Sequence, residues 1–411
     1  MVKNASLTLA EFEQAQKTLV NTAIRTPILK SDWLSEFAAA PVFLKCENLQ
    51  RTGSFKLRGA YNKLANLSAA DKKRGVVAAS AGNHAQGVAY AARELGIKAT
   101  IFMPIGASLP KYQATLDFGA KVVLTGAIFD ETLASAKAFT EKSGAVFIPP
   151  FDDLEIVAGQ GTVGLEILAD LPEVDNILVC LGGGGLAAGV ATAVKLKAKS
   201  LGKKINVMAV QAESAAAYPP SLKAGKPVEI KIQATIADGI AVAKPGKIPF
   251  DLIQENIDKV VTVTEDEIAK AMVLVMEKSK LVVEAGGVVG VAAVLAGKVK
   301  LKGTTAIIVS GGNVDPLLLQ RVIRHGLAAS DRYTNIAVML PDRPGQLVLT
   351  AEAVAAAGAN VVEVLHTRHG NGLQISEVEL DLSIETRGKE HRDEVFQSLK
   401  KAGLSPRMTQ D

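Results

Sequence analysis

Asn176-Ile177-Leu178-Val179-Cys180-Leu181-Gly182-Gly183-Gly184-Gly185-Leu186 is the stretch on which the fold turns. From Ile177 to Leu181 the chain is apolar without polar alternation, the pattern of a strand buried on both faces of a parallel sheet. Four consecutive glycines follow. They cost conformational entropy, and the reason to keep them is close approach of the backbone to a ligand, most often a phosphate. An Ala-rich helical pattern comes next, so the unit reads strand, glycine turn, helix.

The same unit recurs on either side. Val76 to Ala79 precedes a Gly-Asn-His turn and a helix reaching about Leu95, and short strands are predicted at Val42–Lys45, Ala99–Met103 and Lys121–Leu124. Ile205–Val210, Lys259–Val263 and Ala306–Val309 continue the series. Strands alternating with helices predict α/β architecture with parallel sheets covered on both faces. Thr264 followed by Glu267 marks one helix start as a capping box. After Asp331 the pattern changes. A strand at Ile336–Leu340, a helix at Leu347–Ala357, strands at Val361–His366 and Leu373–Leu382 around His369-Gly370-Asn371-Gly372, and a helix at Glu390–Lys401 predict a separate α+β module. Its 9 basic and 12 acidic residues give −3, which leaves +7 of the chain's net +4 to residues 1–330.

At 411 residues, 48 % hydrophobic and 4 % aromatic, the chain is expected to form two to three domains with aliphatic cores. Two cysteines, Cys46 and Cys180, argue against a disulfide scaffold and for a reducing compartment. Charges are dispersed without basic blocks, which speaks against nucleic acid as a partner. The N-terminus has no signal-peptide core, and the apolar run from Gly286 to Gly297 stops short of a membrane span, so a cytoplasmic protein is expected. His84, His325, His366, His369 and His391 lack metal-ligand spacing, and no metal site is expected.

Four strand ends carry residues suited to chemistry. In Gly53-Ser54-Phe55-Lys56-Leu57-Arg58-Gly59-Ala60, Ser54 can cap a helix whose first turn holds Lys56. A cation is disfavoured there, which lowers an amine's pKa as a Schiff-base lysine needs; the plain alternative is a solvated lysine beside Arg58. Ser80-Ala81-Gly82-Asn83-His84 offers small residues whose amides can close around a carboxylate, or else a strand-to-helix turn capped by Asn83. Gly182, Gly184 and Ala187 fit a relaxed G-x-G-x-x-A spacing, with Glu213 ending the next strand region, so a nicotinamide-dependent oxidoreductase is a competing reading. Ser310-Gly311-Gly312-Asn313 is the fourth. Ligands of open α/β sheets gather at such ends, so the four predict one shared crevice.

In that order, GSFKLRGA, SAGNHAQG, the tetraglycine turn and SGGN resemble the fold-type II (tryptophan synthase β-like) pyridoxal-phosphate enzymes, most closely the threonine dehydratases, from about Arg25 to Asn313. The tail, with Pro341-Asp342-Arg343-Pro344-Gly345-Gln346-Leu347 after a strand, resembles the ACT regulatory module. The resemblance implies a large subdomain over residues 1–52 and 154–330, a small one over 53–153, and an ACT module over 331–411. It also implies roles. Lys56 would hold pyridoxal 5'-phosphate covalently, with Phe55 against its ring. Gly182, Gly183, Gly184, Gly185 and Leu186 would cradle its phosphate, and Asn83 would bond its ring hydroxyl. Ser310 would meet its ring nitrogen, with Gly239 and Glu284 lining the site. Ser80, Ala81, Gly82 and Asn83 would take the substrate carboxylate.

The implied reaction is dehydration and deamination of L-threonine to 2-oxobutyrate and ammonia, with L-serine as a further or even main substrate. Asp342, Pro344, Gly345 and Gln346 would bind an isoleucine or valine effector, in a homodimer or homotetramer. Some residues depart from sister patterns. Leu57 replaces the Asp of cysteine synthases, Ala81 the second serine of serine racemases, and Gln211 with Ala215 to Ala217 the carboxylates of the racemase metal site. Glu284-Ala285-Gly286-Gly287 stands where Glu-Pro-Ala-Gly is usual. A non-catalytic amino-acid sensor would need a degraded core, whereas all four motifs are intact.

Overall fold

The apolar run ahead of the glycines is a strand, Asn176–Cys180, buried along its whole length, with the helices Gly185–Ser200 and Ala285–Leu295 packed against it. The computed structural model describes residues 6–328, 331–368 and 374–409. The chain divides into two units, Met1–Leu319 and Gln320–Asp411, parted within the helix Pro316–Ala328.

Among the described residues the first unit holds ten strands: β1 (Ile28–Lys30), β2 (Val42–Cys46), β3 (Val76–Ala79), β4 (Ala99–Met103), β5 (Lys121–Leu124), β6 (Val146–Phe147), β7 (Asn176–Cys180), β8 (Asn206–Ala212), β9 (Lys259–Val263) and β10 (Thr305–Val309). They form a six-stranded sheet, ordered β1-β2-β10-β7-β8-β9, and a four-stranded sheet, ordered β5-β4-β3-β6. Strand β10 is inserted between β2 and β7 and runs parallel to both. The expectation of parallel sheets fails at one edge, where β1 pairs antiparallel with β2. The reason is length: the 11 residues from Ser31 to Pro41 are too few for a parallel crossover.

The expected capping box is present, with Thr264 N donating to Glu267 Oε2 at 2.8 Å and Glu267 N to Thr264 Oγ1 at 3.3 Å. Among the described residues no helix is long and apolar enough to cross a membrane.

In the second unit β11 (Tyr333–Pro341), β12 (Asn360–Thr367), β13 (Glu377–Glu385) and β14 (Pro406–Met408) form an antiparallel sheet ordered β12-β13-β11-β14. Ile336, Val338 and Leu340 of β11 share a core with Val354 and Val395 from the helices Gln346–Ala356 and Lys389–Lys401. The expected strand at Leu373–Leu382 lies later, at Glu377–Glu385, because its register is set by pairing with β11 from Tyr333 opposite Glu385 to Pro341 opposite Glu377. His369 and the turn 369–372 lie outside the described residues.

Candidate active site

Lys56 opens the helix Lys56–Ala65. The expected Ser54 cap is absent: Phe55 occupies the capping position, and the buried Ser54 hydroxyl has no partner. Backbone pairing sets the helix start instead. Phe55 N donates to Ser310 O at 3.1 Å and Gly312 N to Gly53 O at 2.9 Å, so the lysine loop is joined to the Ser-Gly-Gly-Asn turn after β10.

Lys56 Nζ donates to the Pro150 carbonyl at 3.0 Å and stands 5.3 Å from the Phe55 ring centre. Burial lowers its pKa to about 8, against the opposing influence of Cys180 and Glu284. The solvated lysine is therefore set aside, and desolvation rather than the helix end is the main cause of the shift.

Two residues on, Arg58 is only 1 % exposed. Its guanidinium donates to both Glu47 oxygens at 2.8 Å and to Glu166 at 2.6 and 2.9 Å, while Lys45 Nζ reaches Glu166 at 2.7 Å. This network ties the lysine helix to β2 and to the helix Leu154–Asp170, and in the sequence each of its charges looks ordinary.

Asn83 is the first residue of the helix Asn83–Glu94, not its cap. Its Nδ2 donates to Glu284 Oε1 at 2.7 Å, and its Oδ1 accepts from Asn313 Nδ2 at 2.8 Å. Burial, then the nearby Asp238, pushes the Glu284 carboxyl up to about 7. Gly239 lies beside it in the short 3-10 turn Asp238–Ile240; a Cβ there would be 3.7 Å from Glu284 Oε1. Ahead of Asn83, Ser80 Oγ accepts from Gly82 N at 3.1 Å, which holds the Ser80–Asn83 turn.

The tetraglycine turn joins β7 to the helix Gly185–Ser200. Gly184 has φ +103°, and a side chain there would collide with the Tyr218 hydroxyl. Among the described residues, the amides from Gly182 to Leu186 donate no hydrogen bond; the first helical bond runs from Ala188 N to Gly184 O at 2.8 Å. At the end of β7, Cys180 Sγ lies 3.3 Å from Ser310 Oγ, so Cys180, expected only to fill a core, touches a site residue.

The four strand ends thus meet. Lys56, Phe55, Asn83, Glu284, Cys180 and Ser310 are linked by direct contact or by charge, and Gly182 reaches the group through Ile240 of the Gly239 turn. Asn313 and Cys180 are the members that sequence reasoning passed over. The Ser-Gly-Gly-Asn spelling was the signal for the first. Gln211 Oε1 accepts from Tyr218 N at 3.1 Å, a neutral structural bond. Glu213, the support of the dinucleotide reading, is exposed. Among the described residues no three His, Cys, Asp or Glu side chains are grouped to hold a metal. The effector candidates lie in the second unit. There Asp342, Pro344, Gly345 and Gln346, with Arg343, His366 and Arg368, line a cavity of about 290 Å³.

Residues 20–311 match the family described as "Pyridoxal-phosphate dependent enzyme". The chain belongs to that family. Over 403 residues it is 46 % identical to the L-threonine ammonia-lyase of Thermotoga maritima, covering 98 % of this chain and 99 % of that one. It is 43 % identical over 305 residues to the catabolic L-threonine dehydratase of Escherichia coli, covering 74 % and 92 %. A threonine deaminase from Solanum lycopersicum superposes with a TM-score of 0.72 at 37 % identity, covering 79 % and 95 %.

As a pyridoxal-phosphate dependent enzyme, the chain has the donor set its cofactor needs. A half-buried amine of lowered pKa, Lys56, suits covalent attachment to the cofactor's aldehyde carbon. The unpartnered amides from Gly182 to Leu186 at a helix start suit a phosphate. A neutral hydroxyl at Ser310 and an amide at Asn83 suit the ring nitrogen and ring oxygen. The residues fit the group.

Proposed function

We propose that this chain is an L-threonine ammonia-lyase, converting L-threonine to 2-oxobutyrate and ammonia and acting also on L-serine. The observation that carries this reading is the Lys56 amine, lowered to about 8 by burial and coupled by charge to Cys180 and Glu284 at the meeting of the four strand ends. Identity of 46 % to an L-threonine ammonia-lyase over 98 % of the chain supports the substrate.

Pyridoxal phosphate, when bound, supplies an electron sink that makes the α-hydrogen of an amino acid removable. Lys56 would hold it covalently, and its Nζ would take the α-proton of the substrate. Gly182 to Leu186 would hold the phosphate through backbone N–H groups, and Phe55 would wall the ring. Asn83, beside Glu284 and Gly239, would donate to the ring oxygen. Ser80, Ala81, Gly82 and Asn83 receive the substrate carboxylate. Ser310 would meet the ring nitrogen with a neutral hydroxyl, which could not keep that nitrogen protonated as a carboxylate would. A weaker sink favours loss of the β-hydroxyl over return of a proton to the α-carbon. Ala81 has no proton to deliver on the opposite face, which disfavours racemisation. The water released with the β-hydroxyl is regained on hydrolysis to the oxo acid, so threonine yields 2-oxobutyrate and ammonia alone.

The wider reading places a large subdomain at residues 1–52 and 154–330, a small one at 53–153 and an ACT module at 331–411, in a cytoplasmic homodimer or homotetramer. Asp342, Pro344, Gly345 and Gln346 receive isoleucine or valine, and the cavity of about 290 Å³ they line supports this. The test is steady-state formation of 2-oxo acid from threonine and from serine, each with and without isoleucine and valine. Lys56→Ala is expected to lose turnover and the covalent absorption band of the cofactor together. A wild-type protein that takes up no pyridoxal phosphate, or makes no oxo acid from either substrate, would overturn the reading. A higher kcat/KM for serine would make serine the main substrate; the methyl that separates the two contributes only ~1–3 kcal/mol.

A further inference from the structure

Of the Ser310-Gly311-Gly312-Asn313 turn, the proposed chemistry uses only the serine. We propose that Asn313 is a positioning residue that fixes which end of the Asn83 amide faces the site, an inference that rests on the reading that Asn83 meets the cofactor's ring oxygen.

An asparagine side chain is nearly symmetric in shape, so its direction is decided by the hydrogen bonds around it. Here the chain of decisions begins at a group with no choice. Asn313 approaches the Thr52 carbonyl at 2.7 Å, and a carbonyl only accepts, so the atom there is Nδ2. The same NH2 group lies 2.8 Å from Asn83 Oδ1 and 3.0 Å from Gln86 Oε1. Turning Asn83 over would set one NH2 against another. Asn83 therefore keeps its oxygen toward Asn313 and its Nδ2 toward Glu284, 2.7 Å away. It presents a donor to the site.

The position of Asn313 is itself built in. Gly53 has φ +69°, and a Cβ on it would collide with Asn313 Oδ1. The bond from Gly312 N to Gly53 O at 2.9 Å holds the two loops at that distance. Thus one amide connects the loop ahead of Lys56, the asparagine turn and the end of β10. Its consequence for the reaction is electrostatic. A donor at the ring oxygen favours the ionised oxygen, whereas an acceptor favours the protonated one.

Asn313→Asp keeps the side-chain shape and removes its donors, so Asn83 is expected to turn its NH2 toward the new carboxylate and its oxygen toward the site. In the holoenzyme, the absorbance of bound pyridoxal phosphate should move from the long-wavelength band of the ionised ring oxygen toward the short-wavelength band of the protonated one. Cofactor content should stay the same, and kcat/KM should fall about tenfold, the size of one ordinary hydrogen bond. Asn83→Ala is measured in parallel and should also move the bands. Asn313→Asp that holds its cofactor with an unchanged band ratio, while Asn83→Ala shifts it, overturns the positioning role alone. An unchanged spectrum in Asn83→Ala overturns the reading of Asn83 and this inference with it. If Asn313→Asp does not fold, Asn313→Ala takes the same measurement with the same outcomes.

Discussion

Glu284 and His84 are buried in the same unit and respond to pH in opposite senses. Burial raises Glu284 to about 7, so between pH 4.5 and 7 the folded chain holds a proton that the unfolded chain releases. Stability contributed by this residue therefore falls as pH rises through that window, by on the order of 3 kcal/mol in the absence of cofactor. Glu284→Gln removes the titration. Urea midpoints of the apo forms at pH 5 and pH 8 should show wild type losing more than the variant. His84, whose Nε2 meets the Ile148 carbonyl at 2.9 Å, is pushed down to about 3 by burial and by Lys56. The unfolded imidazole binds a proton that the folded one refuses, so stability drains away as pH falls from 6.5 toward 3. His84→Asn should flatten that part of an acid-unfolding curve. Residue types at the site were legible because each is chemically specific to its task. The Asn313–Asn83–Glu284 chain was not, because its direction depends on a carbonyl at Thr52, 261 positions from Asn313.

At the scale of elements, the helix Lys56–Ala65 is held by Arg58 as much as by its apolar face. Removing that guanidinium would leave the buried Glu47 and the half-buried Glu166 carboxylates with Lys45 and Arg25 as the remaining nearby cations. Arg58→Leu is expected to cost about 3–5 kcal/mol, measured as a lower urea midpoint at unchanged m-value. A solvated Arg58 would give less than about 0.5 kcal/mol. The long strands were readable as apolar runs, since burial on both faces leaves no alternation to confuse. The 3-residue β1 and β14 and the 2-residue β6 are too short to print any period on the sequence. Their pairing partners, not their own residues, make them strands.

At the scale of the whole molecule, two units share one chain, parted between Leu319 and Gln320, and the element order and charge of the sequence change a little later, near Asp331. Deleting residues 331–411 is expected to leave threonine turnover intact and abolish any response to isoleucine or valine. The E. coli relative, 92 % of which aligns to 74 % of this chain, is a precedent for a core of that extent. A truncated protein that still responds would move the effector site into the first unit.

The insertion of β10 between β2 and β7 has a consequence during synthesis. A ribosome releases Val42–Cys46 early, but the strand that must lie beside it, Thr305–Val309, emerges about 260 residues later. At about 5–20 residues per second that is a delay of roughly 13–50 s. Throughout it β2 presents an open edge, and β7 presents another from the moment it emerges, that only the last strand of the unit can close, the circumstance in which a nascent chain is exposed to mispairing and to chaperones. The turn that follows β10 carries Ser310 and Asn313, so the ribosome completes the sheet and delivers the last pieces of the site within a few residues of each other.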